Sequence, residues 1–219
     1  MSPSTATAPR RSADKRRSGS TAARRRQRAV RRRRGLLVLA VAAACAIGVV
    51  LAMPLFRKAV NEFTLPLSYS DVIRQQAAQK HLDPALVAGV IYAETKFDAR
   101  TSAAGAEGLM QILPQTAEFL AHRSGATNFR TSDLSTPEVN IAYGSYYLRY
   151  LLDEYDNNKV EALAAYNGGE ANVTRWVNEH GHKLTVAQIP FAETRDYVKR
   201  VLSAERSYRH AYPSELGYR

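Results

Sequence analysis

The chain of 219 residues contains a single cysteine, Cys45, and therefore cannot form a disulfide within itself. Its stability must come from a packed core rather than from covalent cross-links. Acidic side chains are also scarce at its start, because residues 1–35 hold 13 of the 31 Lys and Arg but only one acid, Asp14. Such a segment cannot bury enough apolar surface to offset its ordering entropy, which predicts a disordered basic tail.

Charge is absent altogether from residues 36–56, a run of 21 residues. At about 1.5 Å per residue, a helix of this length reaches roughly 30 Å, the thickness of a bilayer core. Arg31 to Arg34 precede the run directly, which predicts a cytoplasmic tail, a transmembrane anchor and an extracytoplasmic domain. The alternative is a signal peptide cleaved near Ala52, which would give a secreted protein. A membrane partner makes nucleic-acid binding by the tail the weaker interpretation.

Alternation of apolar and polar residues with a period of two is almost absent beyond residue 57, which predicts a mainly α fold. A juxtamembrane linker is predicted over 57–69 and a C-terminal tail over 213–219, so that 70–212 form one domain. Helix starts are marked by capping residues and proline, most clearly at Asp83-Pro84. The predicted helices cover 70–81, 84–96, 114–122, 137–157, 159–166, 170–179 and 191–211, and a short strand is predicted only around 108–112.

Glu94 is placed on the apolar side of the helix that begins at Pro84. Leu86, Val90 and Glu94 are spaced four residues apart and share one helix face. Burial and the partial negative charge of the helix C-terminus both disfavour the ionised carboxyl, which predicts a raised pKa for Glu94. A carboxyl that stays protonated near neutral pH can act as a general acid. A structural glutamate paired with a cation explains the same spacing equally well.

Patterns for a metal site or for a Ser/His nucleophile are missing. His180 and His182 flank Gly181 in a predicted turn, and no further candidate ligand follows them. The sequence therefore predicts neither a bound metal nor a cofactor.

Four motifs resemble, in order, those of the soluble lytic transglycosylase (SLT) family, which has a lysozyme-like fold. Asn140-Ile141, Gly144 and Tyr147-Leu148 also fit the family pattern. The resemblance covers roughly residues 68–212. The motifs are Ala93-Glu-Thr-Lys-Phe97, Gly105-Ala106 with Gly108-Leu-Met-Gln-Ile-Leu-Pro114, Ala165-Tyr-Asn-Gly-Gly169 and Pro190-Phe-Ala-Glu-Thr-Arg-Asp-Tyr-Val198.

This resemblance implies an enzyme that cleaves the β-1,4 bond between N-acetylmuramic acid and N-acetylglucosamine in peptidoglycan glycan strands. The product would carry a 1,6-anhydromuramoyl end. A single glutamate would act first as acid and then as base, and Glu94 matches that position. The resemblance further implies that the residues lining the substrate groove are Ser102, Gly105, Gly108, Met110, Gln111, Tyr166, Asn167 and Glu193.

Three other carboxylates, Asp98, Glu107 and Glu193, are candidate partners of Glu94. Asp98 is expected to lie beyond the helix end, and Glu107 to be exposed between two glycines. Glu193 matches the glutamate of the fourth motif and is expected to position groups around the acid. Two alternatives to a lytic transglycosylase remain: a hydrolytic muramidase, which uses the same acid, and a peptidoglycan-binding scaffold without activity.

Overall fold

The computed structural model describes residues 45–53, 65–181 and 183–218. The chain divides into two units, Met1–Lys58 and Ala59–Arg219. In the first unit, residues 45–53 form a helix with exposed side chains. Among the described residues, no helix has both the length and the apolar character needed to cross a bilayer. The predicted tail and most of the predicted anchor lie outside the described residues, so anchoring stays a prediction.

The described part of the second unit is helical, which confirms the predicted mainly α class. Within it, the candidate strand around 108–112 is reduced to one antiparallel bridge between Glu107 and Ile112. Two 3₁₀ turns, Thr131–Ser135 and Val186–Gln188, connect longer elements. The helices are α1 (Ser70–Gln79), α2 (Pro84–Thr95), α3 (Pro114–Ser124), α4 (Pro137–Glu154), α5 (Lys159–Gly168), α6 (Glu170–His180) and α7 (Ala192–Ala211).

The start of α2 follows the predicted capping chemistry. The Asp83 carboxylate accepts a hydrogen bond from the Ala85 amide at 3.0 Å, and Pro84 occupies the first helical position. This arrangement satisfies one of the amides that a helix start leaves unpaired, and proline loses nothing there because it has no N–H. The helix ends at Thr95 because Lys96 and Phe97 both adopt positive φ angles, 53° and 66°.

Helix α2 forms the centre of the domain and is enclosed on every side. All residues from Ala85 to Ile91 are buried, so the single apolar face predicted for this helix is wrong. A Cβ atom at Gly89 would lie 3.0 Å from the Val201 carbonyl oxygen and 3.1 Å from the Glu205 nitrogen. The backbones of α2 and α7 therefore meet at Gly89, and this contact fixes the middle of α2 against α7.

The segment before α1 is part of the domain rather than a free linker. The Tyr208 hydroxyl of α7 donates to the Pro66 carbonyl oxygen at 2.5 Å, and the Tyr212 hydroxyl donates to the Leu65 carbonyl oxygen at 2.8 Å. Of the predicted linker 57–69, residues 65–69 are described and are held in this way against the end of α7.

The C-terminal segment also folds back onto the domain, which extends it past the predicted boundary at residue 212. Leu216 is only 2% exposed and belongs to the hydrophobic core. The Tyr218 oxygen accepts a hydrogen bond from the Ala85 amide at 3.2 Å, and its hydroxyl donates to Asp83. The described residues of the predicted tail 213–219 therefore pack on the domain, and Tyr218 helps to cap the N-terminus of α2.

Candidate active site

Glu94 lies in the last turn of α2, half-buried, beside the loop that follows the helix. Its neighbour Thr95 is buried and donates a hydrogen bond to the Leu109 carbonyl oxygen at 2.8 Å. Arg100 donates to the backbone carbonyl of Glu94 at 2.9 Å. The end of α2 is thus tied to the loop from two sides, which fixes the backbone that carries Glu94.

The surroundings of Glu94 shift the pKa of its carboxyl toward neutral pH. Burial raises the pKa of its carboxyl from the ordinary value of 4.5 to about 7, against the opposing effects of Tyr197, Arg200 and Arg100. The predicted direction of the shift is present, and desolvation is its largest cause. Near neutral pH the carboxyl exists in both protonation states, so it can give up a proton and take one back.

Two phenols, one buried and one partly buried, face Glu94 from different helices. Tyr197 of α7 is 1% exposed, and its hydroxyl lowers the pKa of Glu94. Among the described residues this hydroxyl makes no hydrogen bond of ordinary length and angle. The Tyr166 hydroxyl of α5 donates to the Met110 carbonyl oxygen at 2.9 Å. Burial, and then the charge of Glu94, raises the pKa of both tyrosines well above the usual value, so both stay protonated.

The loop carrying Gly-Leu-Met-Gln is held by Asn140, a fully buried residue of α4. Its side-chain oxygen accepts from the Met110 amide at 2.7 Å. Its side-chain nitrogen donates to the carbonyl oxygens of Glu107, at 2.8 Å, and Leu134, at 3.0 Å. Each of these bonds satisfies a polar group in the interior, where an unpaired group is costly. Asn140 therefore acts as the clamp that shapes this loop.

Two glycines permit the close packing around this clamp. Gly108 has a φ of +75°, and a Cβ atom there would meet the Asn140 Cγ at 2.5 Å and the Leu134 carbonyl oxygen at 2.7 Å. At Gly144 a Cβ would lie 2.7 Å from the Cβ of Met110. Met110 is fully buried, so in this structure its side chain is a core residue rather than the groove wall that was predicted.

Gln111 and Ser102 both hold the loop in its present shape. Gln111 has a φ of 49°, and its side-chain amide donates to the carbonyl oxygens of Arg100, at 2.7 Å, and Gly108, at 2.9 Å. The Ser102 hydroxyl oxygen accepts from the Ala106 amide at 3.0 Å. The Gln111 side-chain oxygen and the Ser102 hydroxyl proton are the groups that they could still offer to a sugar.

Gly105, Asn167 and Glu193 are the remaining predicted site residues. Gly105 has a φ of +78° with nothing within 4 Å of where a Cβ would stand. Asn167 at the end of α5 and Glu193 in the first turn of α7 are exposed. Glu193 lies one helical turn before Tyr197, so it is on the side of α7 that faces Glu94. A role in substrate binding stays a prediction for these three residues.

Asp98 and Glu107, two of the other candidate carboxylates, do not contribute to the pKa shift of Glu94. Asp98 is exposed beyond the end of α2. Glu107 accepts a hydrogen bond from the Thr101 hydroxyl at 2.8 Å. In the described part of the chain, the charged side chains that shift the pKa of Glu94 are Arg100 and Arg200. Within the same residues, no group of three His, Cys, Asp or Glu side chains is placed to hold a metal ion.

Tyr197, Arg100 and Arg200 are the site residues that the sequence did not single out. Tyr197 belongs to the fourth motif and follows Glu193 by four residues, so helical spacing could have indicated it. The two arginines carry no such signal, because Arg100 is in an irregular loop and Arg200 is on an element distant in sequence.

Comparison with known proteins identifies the family. The transglycosylase SLT domain matches residues 71–189, more than half of the chain, and the chain belongs to this family. The soluble lytic murein transglycosylase of Salmonella typhimurium is 34% identical over 155 residues, which are 68% of this chain and 24% of that protein.

Solved structures agree with this assignment. The 70 kDa soluble lytic transglycosylase of Escherichia coli matches with a TM-score of 0.65 and 32% identity, over 68% of this chain and 25% of that one. The lytic transglycosylase Slt from Pseudomonas aeruginosa, as an inactive mutant, matches with a TM-score of 0.64 and 29% identity, over 68% of this chain and 25% of that one. In this mutant one glutamate is replaced by glutamine. The chain thus spans about a quarter of the length of these relatives.

The raised pKa of Glu94 predicts a pH-dependent stability. The folded chain holds this proton up to about pH 7, whereas the unfolded chain releases it near 4.5. The stabilisation by the bound proton is complete below the unfolded pKa and is lost as the pH rises through the folded one. Glu94→Gln should therefore be more stable than wild type at about pH 8, by up to about 3 kcal/mol, and similar at about pH 4. Urea unfolding of both proteins at the two pH values measures the free energies of unfolding. An equal difference between variant and wild type at both pH values would contradict the prediction.

Proposed function

We propose that this protein is a peptidoglycan lytic transglycosylase that cleaves the β-1,4 bond between N-acetylmuramic acid and N-acetylglucosamine. The observation that carries the proposal is Glu94, a half-buried carboxyl with a pKa of about 7, flanked by two phenols and two arginines. Hydrolytic glycosidases generally pair two carboxylates about 5–10 Å apart. Within the described ranges, the side chains that act on the pKa of Glu94 are Tyr197, Arg200 and Arg100, with no carboxylate among them, which suits a reaction that needs one carboxyl group.

The proposed reaction uses Glu94 twice. Its carboxyl protonates the oxygen that links the two sugars, and the bond from the muramoyl C1 to that oxygen breaks. The acetamido group of the muramoyl sugar supports the positive charge that develops at C1. The sugar's own 6-hydroxyl then bonds to C1 and passes its proton to the Glu94 carboxylate. The products are a 1,6-anhydromuramoyl end and a free 4-hydroxyl, and Glu94 is protonated again.

The surrounding residues support both steps of this reaction. The Tyr197 and Tyr166 phenols both stay protonated. The Tyr197 hydroxyl can therefore stabilise the Glu94 carboxylate after Glu94 has given up its proton. Tyr166, Gln111 and Asn140 hold the loop rigid, which keeps groove-lining groups in fixed positions. The similar proteins are named lytic murein transglycosylases, and the Pseudomonas neighbour is an inactive mutant with a glutamate-to-glutamine change, the kind of change that should inactivate this chain at Glu94.

Product analysis tests this proposal against its two alternatives. Purified peptidoglycan is digested with the full chain, and the fragments are identified by mass spectrometry. Anhydromuramoyl ends are the expected result. Reducing muramoyl ends would instead select the hydrolytic muramidase, and an absence of cleavage with retained binding would select the scaffold.

We further propose that residues 36–56 anchor the protein in the membrane, with the basic tail in the cytoplasm and the catalytic domain outside. The uncharged run and the preceding arginines support this arrangement. The intact mass of the protein recovered from membranes tests it. The mass of all 219 residues is expected, whereas a mass lacking the segment up to about Ala52 would show a cleaved signal peptide.

A further inference from the structure

Two arginines beside Glu94 have no carboxylate partner in the described part of the chain. Arg100 is exposed and donates to the Glu94 backbone carbonyl oxygen, but it forms no ion pair. Arg200 on α7 is exposed, and its guanidinium carbon lies 5.9 Å from the centre of the Tyr197 ring. Both act electrostatically on the Glu94 carboxyl. Their charges are therefore directed at the candidate active site and are not neutralised there.

The other cations of α7 are placed differently. Arg195 donates to the Ile189 carbonyl oxygen at 2.8 Å, and Lys199 pairs with Asp196 at 3.2 Å. Arg209 pairs with Asp83 and Glu205. Arg206 follows Tyr197 by nine residues, which places it about 180° around the helix, away from Glu94.

In the free enzyme the two arginines lower the pKa of Glu94, which opposes its role as an acid. A general acid must keep its proton until the substrate is bound, yet both cations favour the ionised form of Glu94. Two positive charges at this place have a role if they pair with an anion of the substrate. Binding of such an anion would neutralise them and remove their effect on Glu94.

We propose that Arg100 and Arg200 form a carboxylate-binding site that recognises the acidic substituent on the muramoyl sugar next to the scissile bond. The inference rests on the proposed function, because that substituent belongs to the proposed substrate. The muramoyl sugar carries a lactyl ether, whose carboxyl group is either free or joined to a stem peptide with carboxylates of its own. Guanidinium groups suit this ligand because their planar donors match a carboxylate.

The site couples substrate charge to the proton on Glu94. The groups that act electrostatically on Glu94 are Tyr197 and Arg200 from α7, Tyr166 from α5 and Arg100 from the loop after α2. The exposed carboxylate of Glu193 lies on the same side of α7 as Tyr197. When a carboxylate pairs with the arginines, the pKa of Glu94 rises further in the complex. Activity on acidic strands should therefore persist to higher pH than activity on neutral strands.

Three glycan strands of equal length test the site with the full 219-residue chain. One carries stem peptides with free carboxylates, the second carries the same stems with amidated carboxylates, and the third is stripped of peptides and keeps the lactyl carboxylate. The wild type should show a kcat/KM about fivefold higher on free-acid than on amidated strands, as for an exposed ion pair. Stripped strands that behave like free-acid strands show that the site accepts the lactyl carboxylate as well as those of the stem, and stripped strands that behave like amidated ones restrict the ligand to the stem peptide.

Substitutions on α7 separate the site from general charge effects. Arg200→Gln should remove the preference and the difference in pH profile, Arg200→Lys should retain most of both, and the charge-matched control Arg206→Gln should change neither. A preference that survives Arg200→Gln, or is absent from the wild type, would overturn the inference.

Binding measured with Glu94→Gln by calorimetry keeps this test independent of turnover. The same preference for acidic strands should be present, and it should be lost in the double variant with Arg200→Gln. If the wild type cleaved no strand while this pattern of binding remained, the proposed function would fail and the carboxylate site would stand. Equal binding of all strands by both proteins would overturn the site.

Discussion

Replacing Glu94 with glutamine is expected to lower turnover on peptidoglycan by about 10²–10⁴-fold, the range typical for loss of a general acid, or by more if both steps depend on it. The amide has nearly the same shape as the carboxyl and introduces no buried charge, so the fold should be preserved. It cannot donate and recover a proton, which both steps of the proposed reaction require. Turnover is measured with soluble glycan strands, and binding of the same strands should survive the substitution.

Two control substitutions distinguish the acid from carboxylates nearby. Glu193→Gln should reduce turnover less than Glu94→Gln, because Glu193 is exposed and its proposed role is to position groups. Asp98→Asn should have little effect, because Asp98 lies beyond the end of α2. If Glu94→Gln kept near-normal turnover while either control abolished it, the acid would be a different residue and the single-carboxyl reaction would be wrong.

Gly108→Ala is expected to destabilise the domain by about 3–5 kcal/mol and to abolish activity at moderate temperature. The alanine would combine an unfavourable positive φ with overlap against Asn140 and Leu134. The Asn140 amide would have to move, which would leave buried loop groups such as the Met110 amide unpaired. Chemical denaturation of the variant and the wild type at the same pH measures the loss.

Gly105→Ala is the matched control for this substitution. Gly105 has nearly the same φ as Gly108, +78° against +75°, but open space where the Cβ would stand. Its cost should be about 1 kcal/mol, from backbone conformation alone. Equal losses for the two variants would show that the overlap with the Asn140 clamp does not determine the stability of this loop.

Local chemistry explains which parts of the fold the sequence could predict. Asp83-Pro84, Pro114 and Pro137 begin helices for reasons that act within a few residues, and each helix starts where expected. Glu94 was found because its motif is compact and specific, and the direction of its pKa shift followed from its place at the end of an apolar helix.

Features that depend on contacts between distant segments were not predicted. The enclosure of α2 on all sides needs α7, whose residues come about a hundred positions later. Met110 was expected in the groove, but the space above Gly144 lets its side chain enter the core. Arg200 reaches Glu94 only because α7 packs on α2 at Gly89. Spacing along the chain carries no information about such pairs.

The central claim, that one carboxyl group and the sugar's own 6-hydroxyl carry out the cleavage, is tested most directly in water enriched in ¹⁸O. Strands are digested by the wild-type chain in this water, and the new muramoyl ends are analysed by mass spectrometry. Because no water enters the proposed reaction, the ends should be anhydro sugars without label. Labelled reducing ends formed during the reaction would show that water attacks C1, which would contradict the account.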